Sequence, residues 1–177
     1  MHTKAHFAGP LFLLAALAAN TLNAQTVTPN GKAVKESKTF KQTYSVAINI
    51  NAPAEAVWKL LTNAANFPSW NSTVKSIEGN IAEGQKIKLV ANIAPDRTFK
   101  LKVKDVVPNK SMNWSDGAAP MFRGVRHFTL APNSEGGTTF TMSETMGGLM
   151  FPMIKGSLPD FTQAFEDYAA DLKKAAE

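Results

Sequence analysis

The chain has 177 residues, with 19 Lys and Arg against 14 Asp and Glu, 44% hydrophobic residues and no cysteine. The absence of cysteine excludes disulfides, a thiolate nucleophile and cysteine metal sites. The length suits a single domain, which at this size can be stable on its hydrophobic core alone.

The first 24 residues have the pattern of an export signal. Lys4 precedes an apolar run of 13 residues, 7–19, and small residues lead to a cleavage site that we place after Ala24. A membrane-spanning helix needs about 20 apolar residues, so this pattern favours cleavage over anchoring. We therefore expect a periplasmic or secreted protein, whose mature chain would have a net charge of +4 because it lacks Lys4.

The mature chain divides into a polar, aperiodic segment and one domain. We predict a flexible arm over residues 25–38 and a domain over residues 39–177. Residues 43–50 alternate as a strand, and two short helical segments follow within residues 51–70, where Pro53 suits a first helical turn. Turn-forming residues separate six further predicted strands, at residues 74–78, 86–93, 98–106, 111–114, 122–130 and 138–146.

The C-terminal segment has a helical period, with Pro159 near its start as a helix-start or kink residue. Its apolar residues recur at steps of 3 or 4, at Ile154, Leu158, Phe161, Phe165, Tyr168 and Leu172. The order of elements predicts an α+β fold. In it, a curved antiparallel sheet of about seven strands wraps around one long C-terminal helix, with two short helices between the first and second strands.

Two segments carry a resemblance to a known superfamily. They are INAPAEAVWKLLTNAANFPSWNSTV, from Ile50 to Val74, and HFTLAPNSEGGTTFTMSETMGGLM, from His127 to Met150. Over residues 43–177 the chain resembles START-like proteins of the SRPBCC superfamily, of the polyketide cyclase/dehydrase type. The resemblance implies a helix-grip fold with a hydrophobic cavity between the sheet and the last helix. It also implies lipid, sterol, polyketide or plant-hormone ligands, or cyclase or dehydratase activity, and fold analogy alone does not choose among these.

Strand parity places a set of apolar side chains on one face of the predicted sheet. Many of them must form the core, because burial is the default for apolar residues. Five of the seven methionines lie between residues 121 and 153. Because methionine adapts to irregular partners, we interpret this cluster as a soft cavity mouth, with plain core filling as the alternative. The candidate apolar ligand-binding residues are Phe99, Leu101, Trp114, Phe128, Met142, Met146 and Met150.

A carboxylate, Glu144, interrupts this apolar face, because it shares the parity of Phe140. A hairpin that pairs Leu130 with Phe140 would place Arg126 directly opposite Glu144. An unpaired buried carboxylate costs several kcal/mol, whereas an adjacent guanidinium favours the ionised form. We therefore predict a cross-strand ion pair at the ligand-binding site. It is either a brace that fixes strand register or an anchor for a ligand carboxylate, hydroxyl or carbonyl.

Relatives with this hairpin often carry a histidine where this chain has Arg126. Here the histidine is the neighbouring His127, whose parity is outward, and arginine is a poor proton shuttle at neutral pH. The resemblance therefore transfers no acid-base role, and we assign no catalytic residue. If the protein is an enzyme, Glu144 is the candidate acid-base. The sequence indicates no metal site and no cofactor.

Five lysines have the opposite parity and are expected on the outer face of the sheet. The simplest interpretation of these lysines is a solvated surface that discourages edge pairing. The alternative is weak contact with anionic membrane lipids. We expect a monomer that binds no nucleic acid. The lysines are Lys86, Lys88, Lys100, Lys102 and Lys104.

The function predicted from the sequence is that of an exported binding or carrier protein for a small hydrophobic ligand, lipid- or polyketide-like, held between sheet and helix. Two alternatives stay open: a cyclase or dehydratase using Glu144, and a protein or membrane interaction module without a ligand. A cavity below about 300 Å³ would favour the interaction module, because ligand pockets usually exceed that volume.

Overall fold

A computed structural model of the chain describes residues 27–177. The predicted signal peptide, residues 1–24, and its cleavage site lie outside the described residues. The strands are β1 (Val34–Ser37), β2 (Lys41–Ile50), β3 (Val74–Glu78), β4 (Lys86–Ala91), β5 (Thr98–Val107), β6 (Ser111–Ala118), β7 (Phe122–Pro132) and β8 (Thr138–Gly147). They form one curved antiparallel sheet in the order β1-β2-β8-β7-β6-β5-β4-β3.

The helices lie between strands and at the C-terminus. Between β2 and β3 lie α1 (Ala54–Thr62), a 3-10 turn (Ala64–Asn66) and α2 (Phe67–Trp70). After β8 come α3 (Phe151–Ile154), a second 3-10 turn (Lys155–Ser157) and α4 (Thr162–Ala176). Among the described residues, no helix combines the length and the apolar character needed to cross a membrane.

The core lies between the inner face of the sheet and α4. In β8 the side chains of Phe140, Met142 and Met146 are buried, whereas those between them are only half-buried, which is the alternation expected of a strand with one covered face. Helix α4 covers that face with Phe165, Tyr168, Ala169 and Leu172. The predicted α+β helix-grip fold is therefore confirmed.

Strand β1 lies inside the segment for which we predicted a flexible arm, and for residues 34–37 that prediction was wrong. All four side chains are exposed, so no alternation marks the strand in the sequence. Its order comes from backbone pairing with β2 and from ion pairs to the C-terminal region. The Nζ atom of Lys32 lies 2.9 Å from Glu166 Oε2, and that of Lys35 lies 2.8 Å from Asp160 Oδ2.

The last helix begins later than its apolar stripe suggested. Leu158 is extended, with ψ 137°, because the following Pro159 disfavours a helical conformation at the residue before it. The carboxylate of Asp160 then accepts a hydrogen bond from the backbone N–H of Thr162 over 2.9 Å. The stripe therefore belongs to two elements, since Ile154 ends α3 and only the residues from Thr162 onward form α4.

Candidate ligand-binding cavity

A cavity of about 130 Å³ lies between the inner face of the sheet and α4. Strands β3 to β8 supply most of its wall, and the loop between β4 and β5 and α4 with the residues just before it supply most of the rest. Apolar side chains dominate, but the wall also includes the charged residues Arg97, Asp116, Arg126 and Glu144. The cavity is thus an apolar site with a few polar groups, which is the usual composition of a small-molecule site.

Two aromatic residues of the cavity wall, Trp114 and Tyr168, belong to a buried aromatic cluster whose other members do not line the cavity. Tyr168 of α4 stacks on Phe140 with ring centroids 6.1 Å apart and planes 12° apart. Trp114 packs edge-on against Phe128 at 4.8 Å, and both rings contact Phe67 or Tyr168. These rings are almost completely buried, so this part of the wall is fixed by the core.

The predicted cross-strand pair of Arg126 and Glu144 is confirmed. The two residues are directly opposite in β7 and β8, and the Nε and Nη2 atoms of Arg126 donate to Glu144 Oε2 over 2.8 and 2.5 Å. The side chains are 19% and 22% exposed, and the guanidinium also lies 5.5 Å from the ring centre of Phe165 on α4. The pair is therefore held between sheet and helix, and neither hydrogen bond from Arg126 uses Glu144 Oε1.

A second carboxyl in the wall, Asp116, was not predicted. We ended its strand at Trp114, but β6 continues to Ala118, and one more alternation would have placed Asp116 on the inner face. It lies across from Gly124, where an added Cβ would come within 2.4 Å of Asp116 Oδ1. The missing side chain at Gly124 thus makes room for this carboxyl.

The electrostatics of Asp116 differ from those of an exposed aspartate. Burial raises its pKa, and the nearby charge of Glu144 raises it further, while the Gly124 N–H and the Arg97 guanidinium act in the opposite direction. Arg97 itself stacks on Phe99, with its guanidinium carbon 4.6 Å from the ring centre. Two carboxyl and two guanidinium groups therefore line the cavity and leave it close to neutral.

Two buried polar atoms of the cavity-lining residues have no hydrogen-bond partner within residues 27–177. They are Nε1 of Trp114 and the hydroxyl of Tyr168. Burial raises the pKa of the Tyr168 phenol, so the group stays protonated and can donate. An unmade buried hydrogen bond costs about 1–3 kcal/mol, and because both atoms are themselves buried, a polar ligand atom would supply the missing partner only with a shift of the side chains around them.

Seven of the nine predicted ligand-binding residues line the cavity: Phe99, Leu101, Trp114, Arg126, Met142, Glu144 and Met146. Phe128 and Met150 do not. Phe128 points to the inner face but is completely buried behind Trp114, and Met150 lies on the surface before α3. Of the five methionines interpreted as a cavity mouth, Met142 and Met146 line the cavity, whereas Met121, Met150 and Met153 do not.

The histidine on the outer face of the sheet, His127, does not line the cavity. His127 is exposed and contacts the side-chain oxygen of Asn113 on the neighbouring strand, as its outward parity predicted. Residues 27–177 contain no group of three or more potential His, Asp or Glu metal ligands. The proton-transfer candidates in the cavity are therefore Asp116 and Glu144, and Asp116 is the one whose surroundings favour the protonated form.

A curved antiparallel sheet that wraps a C-terminal helix, with a cavity between them, defines a helix-grip protein. The chain belongs to the polyketide cyclase / dehydrase and lipid transport family, whose model matches residues 41–177. A comparison with curated protein sequences finds no match.

Solved structures share the fold at low sequence identity. A conserved protein of unknown function from Enterococcus faecalis is 16% identical, with a TM-score of 0.58 over 82% of this chain and 77% of its own. A Mesorhizobium loti protein is 22% identical, with a TM-score of 0.57 over 75% and 95%. A START superfamily protein from Mycobacterium smegmatis is 17% identical, with a TM-score of 0.56 over 76% and 96%. At these identities the likeness establishes the fold alone.

Proposed function

We propose that this protein binds one small hydrophobic molecule, lipid- or polyketide-like in character, in the cavity between the sheet and α4. The observation that carries the proposal is the combination of an apolar wall with an inward-facing ion pair, Arg126 and Glu144. Even a partly buried charged pair loses hydration, and replacing a buried pair with apolar residues is often neutral or stabilising. Its place in the wall of a cavity supports a role beyond packing.

The cavity volume limits what can enter. A cavity of about 150 Å³ is known to hold benzene, so 130 Å³ suits one ring or one short chain end. A longer ligand would extend outward past Leu158, Pro159 and Phe161, which line the cavity where the chain approaches α4. The proposed cargo therefore has a slim apolar end that lies inside.

The polar groups favour a ligand hydroxyl at that end. Both bonded nitrogens of Arg126 are engaged by one oxygen of Glu144, which leaves Glu144 Oε1 able to accept. Trp114 and Tyr168 supply unpartnered donors. A hydroxyl group can accept from such a donor and donate to such an acceptor, whereas an ionised ligand carboxylate has no proton to donate to Glu144.

The proposed setting is extracytoplasmic, with the ligand carried rather than transformed. Export rests on the sequence of residues 1–24 alone, with its basic start, short apolar run and small residues before the cut. Contact of the outer lysines with anionic lipids is the alternative that the vesicle experiment described below tests, and all five are at least partly exposed. Together these features fit a carrier that works beyond the inner membrane.

Two other functions have one supporting observation each. The small volume favours an interaction module without a ligand, because 130 Å³ is below the usual size of a ligand pocket. The raised pKa of Asp116 favours an enzyme of the cyclase or dehydratase type, in which this carboxyl would hold a proton. Glu144 suits that role less well, since its Oε2 atom already accepts two hydrogen bonds from Arg126.

Proton–nitrogen NMR of the tryptophan indoles tests the proposal. The chain has three tryptophans, and of these only Trp114 lines the cavity. Titration with 4-ethylphenol should shift the Trp114 indole signal in a saturable way, with Trp58 as the internal control and Trp114→Phe for assignment. Indole signals that stay unchanged at millimolar phenol would argue for the interaction module.

The same titration separates an anchor from a brace. Glu144→Gln and Arg126→Met should weaken 4-ethylphenol binding about tenfold, or about 1.4 kcal/mol, with a smaller effect on melting temperature. Lys88→Met is the matched control, because Lys88 pairs with Glu78 on the outer face over 3.1 Å. Comparable losses of affinity and stability in the cavity variants would identify the pair as a brace of the hairpin.

A further inference from the structure

Large apolar side chains are exposed together at one end of the sheet. We call this surface the apolar cap; it consists of Phe40, Met121, Leu149, Met150 and Met153. Met153 is 79% exposed and Leu149 61%, although both are residue types that normally lie inside. Isolated exposed apolar residues need no explanation, but a contiguous group of them indicates an interaction surface.

Backbone hydrogen bonds show that the cap is one surface. The N–H of Gly148 donates to the carbonyl of Phe40 over 3.0 Å, that of Leu149 to Pro120 over 3.0 Å, and that of Met150 to Met121 over 2.9 Å. These bonds join three segments, 38–41, 119–123 and 147–157. The next residue, Phe151, is completely buried and anchors the cap to the core.

The charge of these three segments is entirely positive. They contain Lys38, Lys41, Arg123 and Lys155 and no Asp or Glu. None of the four cations forms an ion pair with a carboxylate of the described residues. Exposed apolar side chains among unpaired cations are complementary to an anionic lipid surface, because the apolar groups enter the interface and the cations attract the headgroups.

The cap lies at the same end of the molecule as part of the cavity wall. Phe122, which lies within a cap segment, lines the cavity, and so do Leu158 and Pro159, which directly follow another. A surface to which the cap binds would therefore lie near the residues that line the cavity before α4.

We propose that the apolar cap docks on an anionic lipid bilayer. This surface differs from the outer lysine face, where Lys88 is already paired with Glu78 and Lys86 lies directly across from Lys102. The proposal goes beyond ligand binding and does not depend on it, since the cap would dock whether or not the cavity is filled.

Vesicle co-sedimentation of the chain without residues 1–24 tests this proposal. Vesicles of phosphatidylcholine alone are compared with vesicles that also contain phosphatidylglycerol. We expect binding to the anionic vesicles only. The double variant Leu149→Ser/Met153→Ser and the double variant Lys38→Glu/Lys155→Glu should each weaken it by about tenfold or more.

Two matched controls keep the experiment specific. Lys100→Glu/Lys102→Glu reverses the charge of two lysines on the outer face, as Lys38→Glu/Lys155→Glu does in the cap segments. Val107→Ser removes an exposed apolar side chain from β5. Both should bind the anionic vesicles as the parent does. Thermal melts of all variants establish that each is folded.

Three outcomes would overturn the proposal. One is an absence of binding to anionic vesicles, and another is a loss of binding in the outer-lysine variant with none in the cap variants. The third is self-association that Leu149→Ser/Met153→Ser abolishes, measured by light scattering without vesicles, which would assign the cap to a second copy or another protein.

Discussion

The two ends of the sheet are built from different kinds of loop. At one end, residues 108–110 and 133–137 are Pro, Asn, Lys, Ser, Glu and Gly, whereas the cap segments at the other end contain Phe, Met and Leu. Asn, Gly and Pro are favoured in turns for conformational reasons, so turn geometry accounts for the first end. It does not account for the second. We therefore expect the cap residues to form an interaction surface.

The β7–β8 turn illustrates the first kind of loop. The side-chain oxygen of Asn133 accepts hydrogen bonds from the backbone N–H groups of Glu135 and Gly137, over 3.0 and 2.8 Å. An added Cβ at Gly137 would lie 2.2 Å from the carbonyl oxygen of Ile50, so this position requires glycine. Asn133 and Gly137 thus each have a structural role in this turn.

The largest expected loss of stability comes from a substitution between the two ends of the sheet, in the buried aromatic cluster. Phe140→Ala should destabilise the protein by about 3–5 kcal/mol, because Phe140 is completely buried and its removal leaves a void against Tyr168. Denaturant unfolding measures this, with Met153→Ala as the exposed control. A loss of unfolding free energy below about 1 kcal/mol would mean that the aromatic cluster can collapse into the void that Phe140 leaves.

An intermediate effect sharpens the contrast between the ends. Asn133→Ala should cost about 1 kcal/mol, because two backbone N–H groups lose their acceptor. Leu149→Ser in the cap should change the free energy of unfolding by no more than about 0.5 kcal/mol, as expected for an exposed side chain. If Leu149→Ser is the more damaging change in the same unfolding assay, the cap is part of the core rather than a docking surface.

The smallest expected effect concerns the pH dependence of Asp116. Below its ordinary pKa of about 3.9, the carboxyl is protonated in both the folded and the unfolded state, so Asp116→Asn should change stability little. As pH rises, the unfolded state releases the proton first, and the parent loses stability until the raised pKa of the folded state is passed. Asp116→Asn should therefore become the more stable protein toward neutral pH, by less than about 1 kcal/mol.

Thermal melts between about pH 3 and pH 7 measure this difference. An advantage of Asp116→Asn that grows with pH is the expected result. A constant difference, or an advantage of the parent at neutral pH, would mean that the carboxyl is stabilised in its ionised form.

Periodicity predicted most of the fold because each strand has one buried face. The parity of Phe140 follows from alternation, and the register that sets Arg126 against Glu144 follows once the hairpin pairs Leu130 with Phe140. Strand β1 could not be predicted, since its four side chains are exposed and its pairing is between backbones. The start of α4 depends on Pro159, which interrupts a stripe that otherwise keeps its helical period.

The site was predictable only in part. The ion pair follows from strand register, but Asp116 required the true end of β6, and the separation of Met142 from Met150 required the path of the chain after β8. The unpartnered Trp114 and Tyr168 atoms depend on how two elements distant in sequence pack together. Sequence periodicity predicts the face of the sheet on which a side chain lies. It does not predict which residues of other elements that side chain contacts.

Native mass spectrometry of the protein, purified from its producing cells without detergent and followed by solvent extraction, tests the central claim most directly. We predict a folded species that carries one apolar molecule of low mass, and loss of that molecule in Glu144→Gln, with the adduct retained in the outer-face control Lys88→Met. A protein that is empty in every preparation, and that also leaves the Trp114 indole signal unchanged with 4-ethylphenol, would contradict the account.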